Sequence, residues 1–110
     1  MSDTTKLLQF DELPYYAVIF TSIRTDVKED YAETNDFLEE AANAIPGFLG
    51  QEATRDGLGI AVSYWKDLQS IDQWRKHLSH QTAKARGIRE WYKTYTIRIC
   101  KVETHNHFVK

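Results

Sequence analysis

The spacing Trp74-x-x-His77-x-x-His80 holds the residues of this chain best equipped for chemistry. Imidazoles titrate near neutral pH and can take a proton from a phenol or an enol. Indoles stack on flat ligands. Trp65, Trp74, Trp91 and both histidines fall within 27 residues. On a continuous helix His77 and His80 are i, i+3 neighbours and share a face. Such a pair could hold two positions of a metal site, but no third ligand stands nearby at metal spacing. Asp72 and Glu90 lack that spacing, and the Thr104-His105-Asn106-His107 tail could chelate only adventitiously. No native metal site is expected. Either histidine could equally be a solvated or hydrogen-bonded structural group. Each tryptophan could belong to the core. Together with Phe20 and Tyr64 the tryptophans could instead wall a slot for a flat polycyclic ligand. Arg24, in phase with Val18, Phe20 and Ser22, could pair with an anionic oxygen there, or be an ordinary surface arginine.

The elements that position these residues follow from pattern. Tyr15–Thr25 is rich in β-branched and aromatic residues and reads as a strand. Asp26 offers an N-cap, and Tyr31, Thr34, Leu38, Ala41, Ala42 and Ile45 recur with a helical period. Pro46-Gly47 stops that helix. Phe48–Arg55 and Leu58–Lys66 read as strands joined by the turn signal Asp56-Gly57. A helical segment runs from about Leu68 to Glu90, with a break near His77–Ser79 because Ser79 could cap a second piece. Tyr92–Glu103 is the last strand. Residues 1–14 form an arm ending at Pro14, 15–103 a single domain, and 104–110 a polar tail expected to fray.

The order β-α-β-β-α-β is the split βαβ, ferredoxin-like arrangement, an α+β fold with helices on one face of a four-stranded antiparallel sheet. The other face would be polar in a monomer. Here both faces alternate apolar residues. Val18 and Phe20 oppose Ala17, Ile19 and Ile23. Ile60, Val62 and Tyr64 oppose Ala61 and Trp65. Tyr95, Ile97 and Ile99 oppose Cys100 and Val102. A sheet apolar on both sides needs a second covering layer, and the simplest is another copy, sheet against sheet, as a two-fold homodimer.

Composition narrows the classes further. The chain has 110 residues, 42% hydrophobic and 13% aromatic, and a formal net charge of −2. That balance argues against a nucleic-acid surface. Acids dominate Asp26–Glu40, seven against the single base Lys28, while Lys66–Lys93 carries seven bases and three acids. Neighbouring helices of complementary charge account for this, with a docking surface for an anionic partner as the alternative. The lone Cys100 excludes a disulfide framework. No apolar leader and no membrane-spanning stretch is visible, so a cytoplasmic setting and no membrane partner are expected. There is no phosphate loop, no dinucleotide fingerprint and no Ser/His/Asp order, so no fold-integral cofactor is expected.

Five segments together resemble the antibiotic biosynthesis monooxygenase family. They are Ile45-Pro46-Gly47-Phe48-Leu49-Gly50-Gln51-Glu52, Ile60–Lys66, Trp74-x-x-His77-x-x-His80-x-x-Ala83, Trp91-Tyr92 and Ile97–Glu103. The likeness covers about residues 15–103 and is nearest to small bacterial members. It implies the dimeric α/β barrel. It also implies a choice among cofactor-independent oxygenases of aromatic polyketides, haem-degrading enzymes, quinol oxygenases and signal-related members. In the haem-degrading branch a catalytic Trp, matched by Trp74, precedes the axial His by ten residues; this chain has Lys84 there. The first strand also lacks that branch's asparagine; His80, one turn before Lys84, could stand in for the axial His. The polyketide-oxidising branch builds its cavity from Trp, Tyr, Arg and Asn, and Trp65, Trp74, Tyr64 and Arg24 are similar in type.

The leading expectation is a homodimeric, cofactor-independent monooxygenase acting on a small phenol, quinol or anthrone with dioxygen. His80 or His77 would serve as base and Trp74 would stand at the reacting ring. Trp65, Tyr64, Phe20, Arg24 and Trp91 would bind substrate. The alternatives are a non-catalytic module that sequesters a small aromatic ligand, and a haem-binding or haem-degrading protein.

Overall fold

The computed structural model describes residues 6–29, 31–77 and 90–110. His80, Ala83 and Lys84 lie outside them. The elements run β1 (Tyr15–Arg24), α1 (Tyr31–Asn43), β2 (Phe48–Asp56), β3 (Leu58–Trp65), α2 (Leu68–Lys76) and β4 (Tyr92–Val102). All strand pairs are antiparallel, in the order β2-β3-β1-β4. The two strands joined by α1 are thus separated by β3, the split βαβ topology that the element order implies.

Period-two alternation sets the two faces. Val18 lies opposite Ser63 and Ile99, and Phe20 opposite Ala61 and Ile97. These residues line the helix side of the sheet together with Trp65 and Tyr95. The outer side carries Ala17, Ile19, Ile23, Ile60, Val62 and Tyr64. Ile23, Ile60 and the neighbouring Leu58 are 41%, 39% and 50% exposed, so this face is apolar as well as accessible. The core sits between sheet and helices, where Val18, Ala42, Trp65 and Ile71 are buried and Tyr16, Ile45, Phe48 and Trp74 pack against them.

Both helices differ from expectation at one end. α1 begins at Tyr31 rather than after Asp26. Residues 25–27 are held by other bonds instead: the Thr25 hydroxyl donates to the Glu90 carbonyl and accepts from the Val27 N–H. The Arg24 Nη2 donates to the Val27 carbonyl at 2.8 Å. These local partners compete with a helical cap at Asp26. α2 is capped by Asp67, whose Oδ1 accepts from the Ser70 N–H at 2.8 Å and the Ser70 hydroxyl at 2.7 Å. Those two bonds, the hydroxyl first, hold the Asp67 carboxyl below its ordinary range. The helix ends at His77, which has extended backbone, φ −61° and ψ 130°. The expected break is therefore present, and it removes the premise that His77 shares a helical face with His80.

The arm and the tail meet on the outer side of the sheet. Phe10 packs edge-on against Tyr15, with ring centroids 5.1 Å apart, and lies 5.2 Å from Tyr64. The Tyr15 hydroxyl and His105 Nδ1 lie 2.9 Å apart, as do Gln9 Nε2 and His107 Nε2. Of the tail, His105 and His107 take part in these contacts, while Phe108 and Val109 are exposed. Its two histidines are committed to a tyrosine and a glutamine.

Candidate active site: an aromatic cavity between sheet and helices

A cavity of about 460 Å³ lies between the inner sheet face and the two helices. β1 contributes Val18 and Phe20. β3 contributes Ala61, Ser63 and Trp65. Tyr92, Tyr95, Ile97 and Ile99 come from β4. α1 supplies Tyr31, Asn35, Leu38, Glu39 and Ala42, and α2 supplies Ile71, Trp74 and Arg75. Phe48, Gln51 and Trp91 complete the wall. The volume falls in the range of small-molecule sites.

The cavity has two chemically different ends. At one, Trp65 sits fully buried, with Phe48 edge-on at 4.9 Å and Trp74 tilted at 5.6 Å between ring centroids. The Trp65 indole N–H is satisfied by the Ser63 hydroxyl at 2.9 Å. At the other end Phe20 stacks on Tyr95 at 5.3 Å and meets Tyr92 edge-on at 5.2 Å. The Tyr92 hydroxyl donates to the Tyr31 hydroxyl across 3.5 Å. Burial, and then the neighbouring Tyr31, push the Tyr92 phenol above the ordinary tyrosine range, while Arg24 and Arg55 pull the other way. Tyr92 is thus a neutral donor at physiological pH.

The expected site residues divide on this geometry. Phe20, Trp65, Trp74 and Trp91 line the cavity together. Tyr64 does not: it is the strand neighbour of Trp65, so it points to the outer face. There its hydroxyl donates to Glu52 Oε1 at 2.8 Å. Arg24 is not in the wall either. Its guanidinium carbon stands 3.4 Å from the centroid of the Tyr31 ring, so it touches a lining residue from outside. His77 is exposed beyond the end of α2 and is no part of the wall. His80 lies outside the described residues, as does Lys84.

Among the lining residues that the sequence did not assign to the site are three tyrosines, Tyr31, Tyr92 and Tyr95. Tyr31 was legible as part of the α1 apolar stripe, and Tyr95 by its phase with Ile97 and Ile99. Tyr92 joins the inner face because the β1–β4 register shifts between Ile23 and Arg24, pairing Arg24 with Tyr92. Nothing in the sequence announces that bulge. Among the described residues no three or more of His, Cys, Asp and Glu converge as a metal set, and no helix is long and apolar enough to cross a membrane.

A four-stranded split βαβ sheet with an aromatic cavity under its helices defines a small α+β domain. Residues 14–86 match the model of the antibiotic biosynthesis monooxygenase family, and the chain belongs to that family. It is 44% identical over 99 residues to the uncharacterized protein YqjZ of Bacillus subtilis, covering 88% of this chain and 87% of YqjZ. Two solved structures share the fold at low identity. One is protein SO0527 from Shewanella oneidensis, with a TM-score of 0.69 and 10% identity over 82% of this chain and 92% of that one. The other is a point mutant of SnoaB, a cofactor-independent oxygenase from Streptomyces nogalater. It has a TM-score of 0.68 and 9% identity over 86% of this chain and 96% of that one.

Proposed function

We propose that this protein is a cofactor-independent monooxygenase of a small phenolic, quinolic or anthrone-like substrate. The observation that carries the reading is the 460 Å³ cavity walled by Phe20, Trp65, Trp74 and Trp91, in a chain of this family and with the fold of SnoaB. A flat substrate stacks between Trp74 and Phe20. A base takes a proton from it, and the electron-rich anion reduces dioxygen directly. For an anthrone the balance closes without another reductant: the methylene loses two hydrogens and gains one oxygen, and the second oxygen leaves as water. Of the two histidines expected as base, His77 faces solvent, so the role falls to His80. The enzyme works as a homodimer whose apolar outer sheet faces cover each other. The test is oxygen uptake with a panel of anthrones and hydroquinones. Uptake by the protein, lost in His80→Ala and retained in His77→Ala, is expected; no uptake above the protein-free rate overturns the proposal.

One observation favours a second reading. The described wall of the cavity contains no histidine. A cavity that brings no imidazole to its ligand would bind an aromatic molecule and release it unchanged. Saturable binding with no product from any member of the panel supports that reading.

A further inference from the structure

The Tyr31–Tyr92 end of the cavity carries more positive charge than its walls show. Arg24 lies against the Tyr31 ring, and its buried Nε has no hydrogen-bond partner among the described residues. Arg55 reaches across from β2 to the inner face, where Nη2 donates to the Ser22 hydroxyl at 2.6 Å and Nη1 to the Ser22 carbonyl at 3.2 Å. Room for it comes from Gly59, its cross-strand partner, where a Cβ would collide with the guanidinium. Among the described residues neither guanidinium has a carboxylate at ion-pair distance. Arg24 is the cross-strand partner of Tyr92, and Ser22, which holds Arg55, is that of Tyr95. Between them the two hydroxyls stand 3.5 Å apart, long for a phenol pair, so each retains capacity for another partner.

Two guanidiniums without a carboxylate partner among the described residues, beside two under-used phenols, make a place for negative charge. A hydrogen bond to an ionised oxygen is stronger than one between neutral groups. We infer that the Tyr31–Tyr92 hydroxyl pair, flanked by Arg24 and Arg55, is a recognition site for an ionised oxygen, and that the cavity selects flat aromatic molecules bearing a carboxylate or phenolate. The neutral Tyr92 phenol donates to that oxygen and the guanidiniums hold its charge. The inference rests on the cavity of the proposed function for its location, but it requires binding and not turnover.

The test uses the full chain near neutral pH and two probes of matched shape, naphthoate and naphthamide. The chain has three tryptophans, all of which line the cavity, so quenching of their emission reports occupancy. Naphthoate is expected to bind about tenfold more tightly than naphthamide, the worth of one charge-assisted hydrogen bond. Tyr92→Phe removes about tenfold from naphthoate affinity and changes that of naphthamide by less than about twofold. Arg24→Gln also weakens naphthoate selectively, and Arg24→Lys restores part of the loss. Equal binding of the two probes, equal losses of both in Tyr92→Phe, or no binding of either overturns the inference. Discrimination without oxygen uptake refutes the oxygenase and leaves this site standing. Uptake without discrimination refutes this site alone.

Discussion

Trp65 and Trp74 stand with ring centroids 5.6 Å apart at an interplanar angle of 44°, yet the two indoles have different duties. Trp65 has no exposed surface and anchors the core beside Phe48 and Ile71. Trp74 is half-buried at the edge of that core, where α2 overlooks the cavity. Trp65→Ala is therefore expected to cost about 3–5 kcal/mol, read as a lowered urea midpoint. Trp74→Ala should leave a folded protein and weaken binding of naphthoate and naphthamide alike, about two- to tenfold, because it removes a stacking surface and no charge. Equal destabilisation by the two substitutions would contradict this division.

Gly47, from the Pro46-Gly47-Phe48 segment, is packed against the start of α2. A Cβ there would overlap the Ser70 hydroxyl and lie 2.5 Å from Ser70 Cβ. Ser70 is the residue through which Asp67 caps the helix. Gly47→Ala must displace Ser70, and overpacking of this kind costs about 1–3 kcal/mol. The measurement is again the urea midpoint. A midpoint equal to that of the parent chain would show that the α2 start yields without cost.

Tyr64 gives a prediction in pH. Burial, and then the bond to Glu52, push its phenol up to about 12 from the ordinary 10.0. A group whose pKa is raised by folding contributes stability that is fully present below its unfolded value and lost as pH rises through the folded one. Unfolding midpoints of the parent chain should therefore fall between about pH 10 and 12, and Tyr64→Phe should lose less over that window. Below about pH 9 the same variant should be modestly less stable, by about 1 kcal/mol for the lost hydrogen bond. Because the side chain lies on the outer face, naphthoate affinity should not change. A change in affinity would place Tyr64 in the site after all.

The sheet was legible almost to the residue, because β-branched and aromatic runs bounded by Pro46-Gly47 and Asp56-Gly57 leave few alternatives. The helix ends were not. Asp26 looked like a cap, but Thr25 and Arg24 offered the following backbone groups other partners. Within the site, alternation alone separates Tyr64 from Trp65, so grouping both in one slot conflicted with the strand period. The sequence placed Arg24 in phase with Phe20, and the structure puts it against Tyr31 rather than in the wall. Tyr92 was hidden by the bulge beside Ile23, a tertiary adjustment with no local signature.

The central claim is that the cavity inserts one atom of dioxygen into an aromatic substrate, and isotope incorporation tests it most directly. Under oxygen-18 gas, an anthrone turned over by the purified protein should yield a quinone carrying one labelled oxygen atom, with the label absent when only the water is labelled. Product without label from the gas, or no product at all, would contradict the claim.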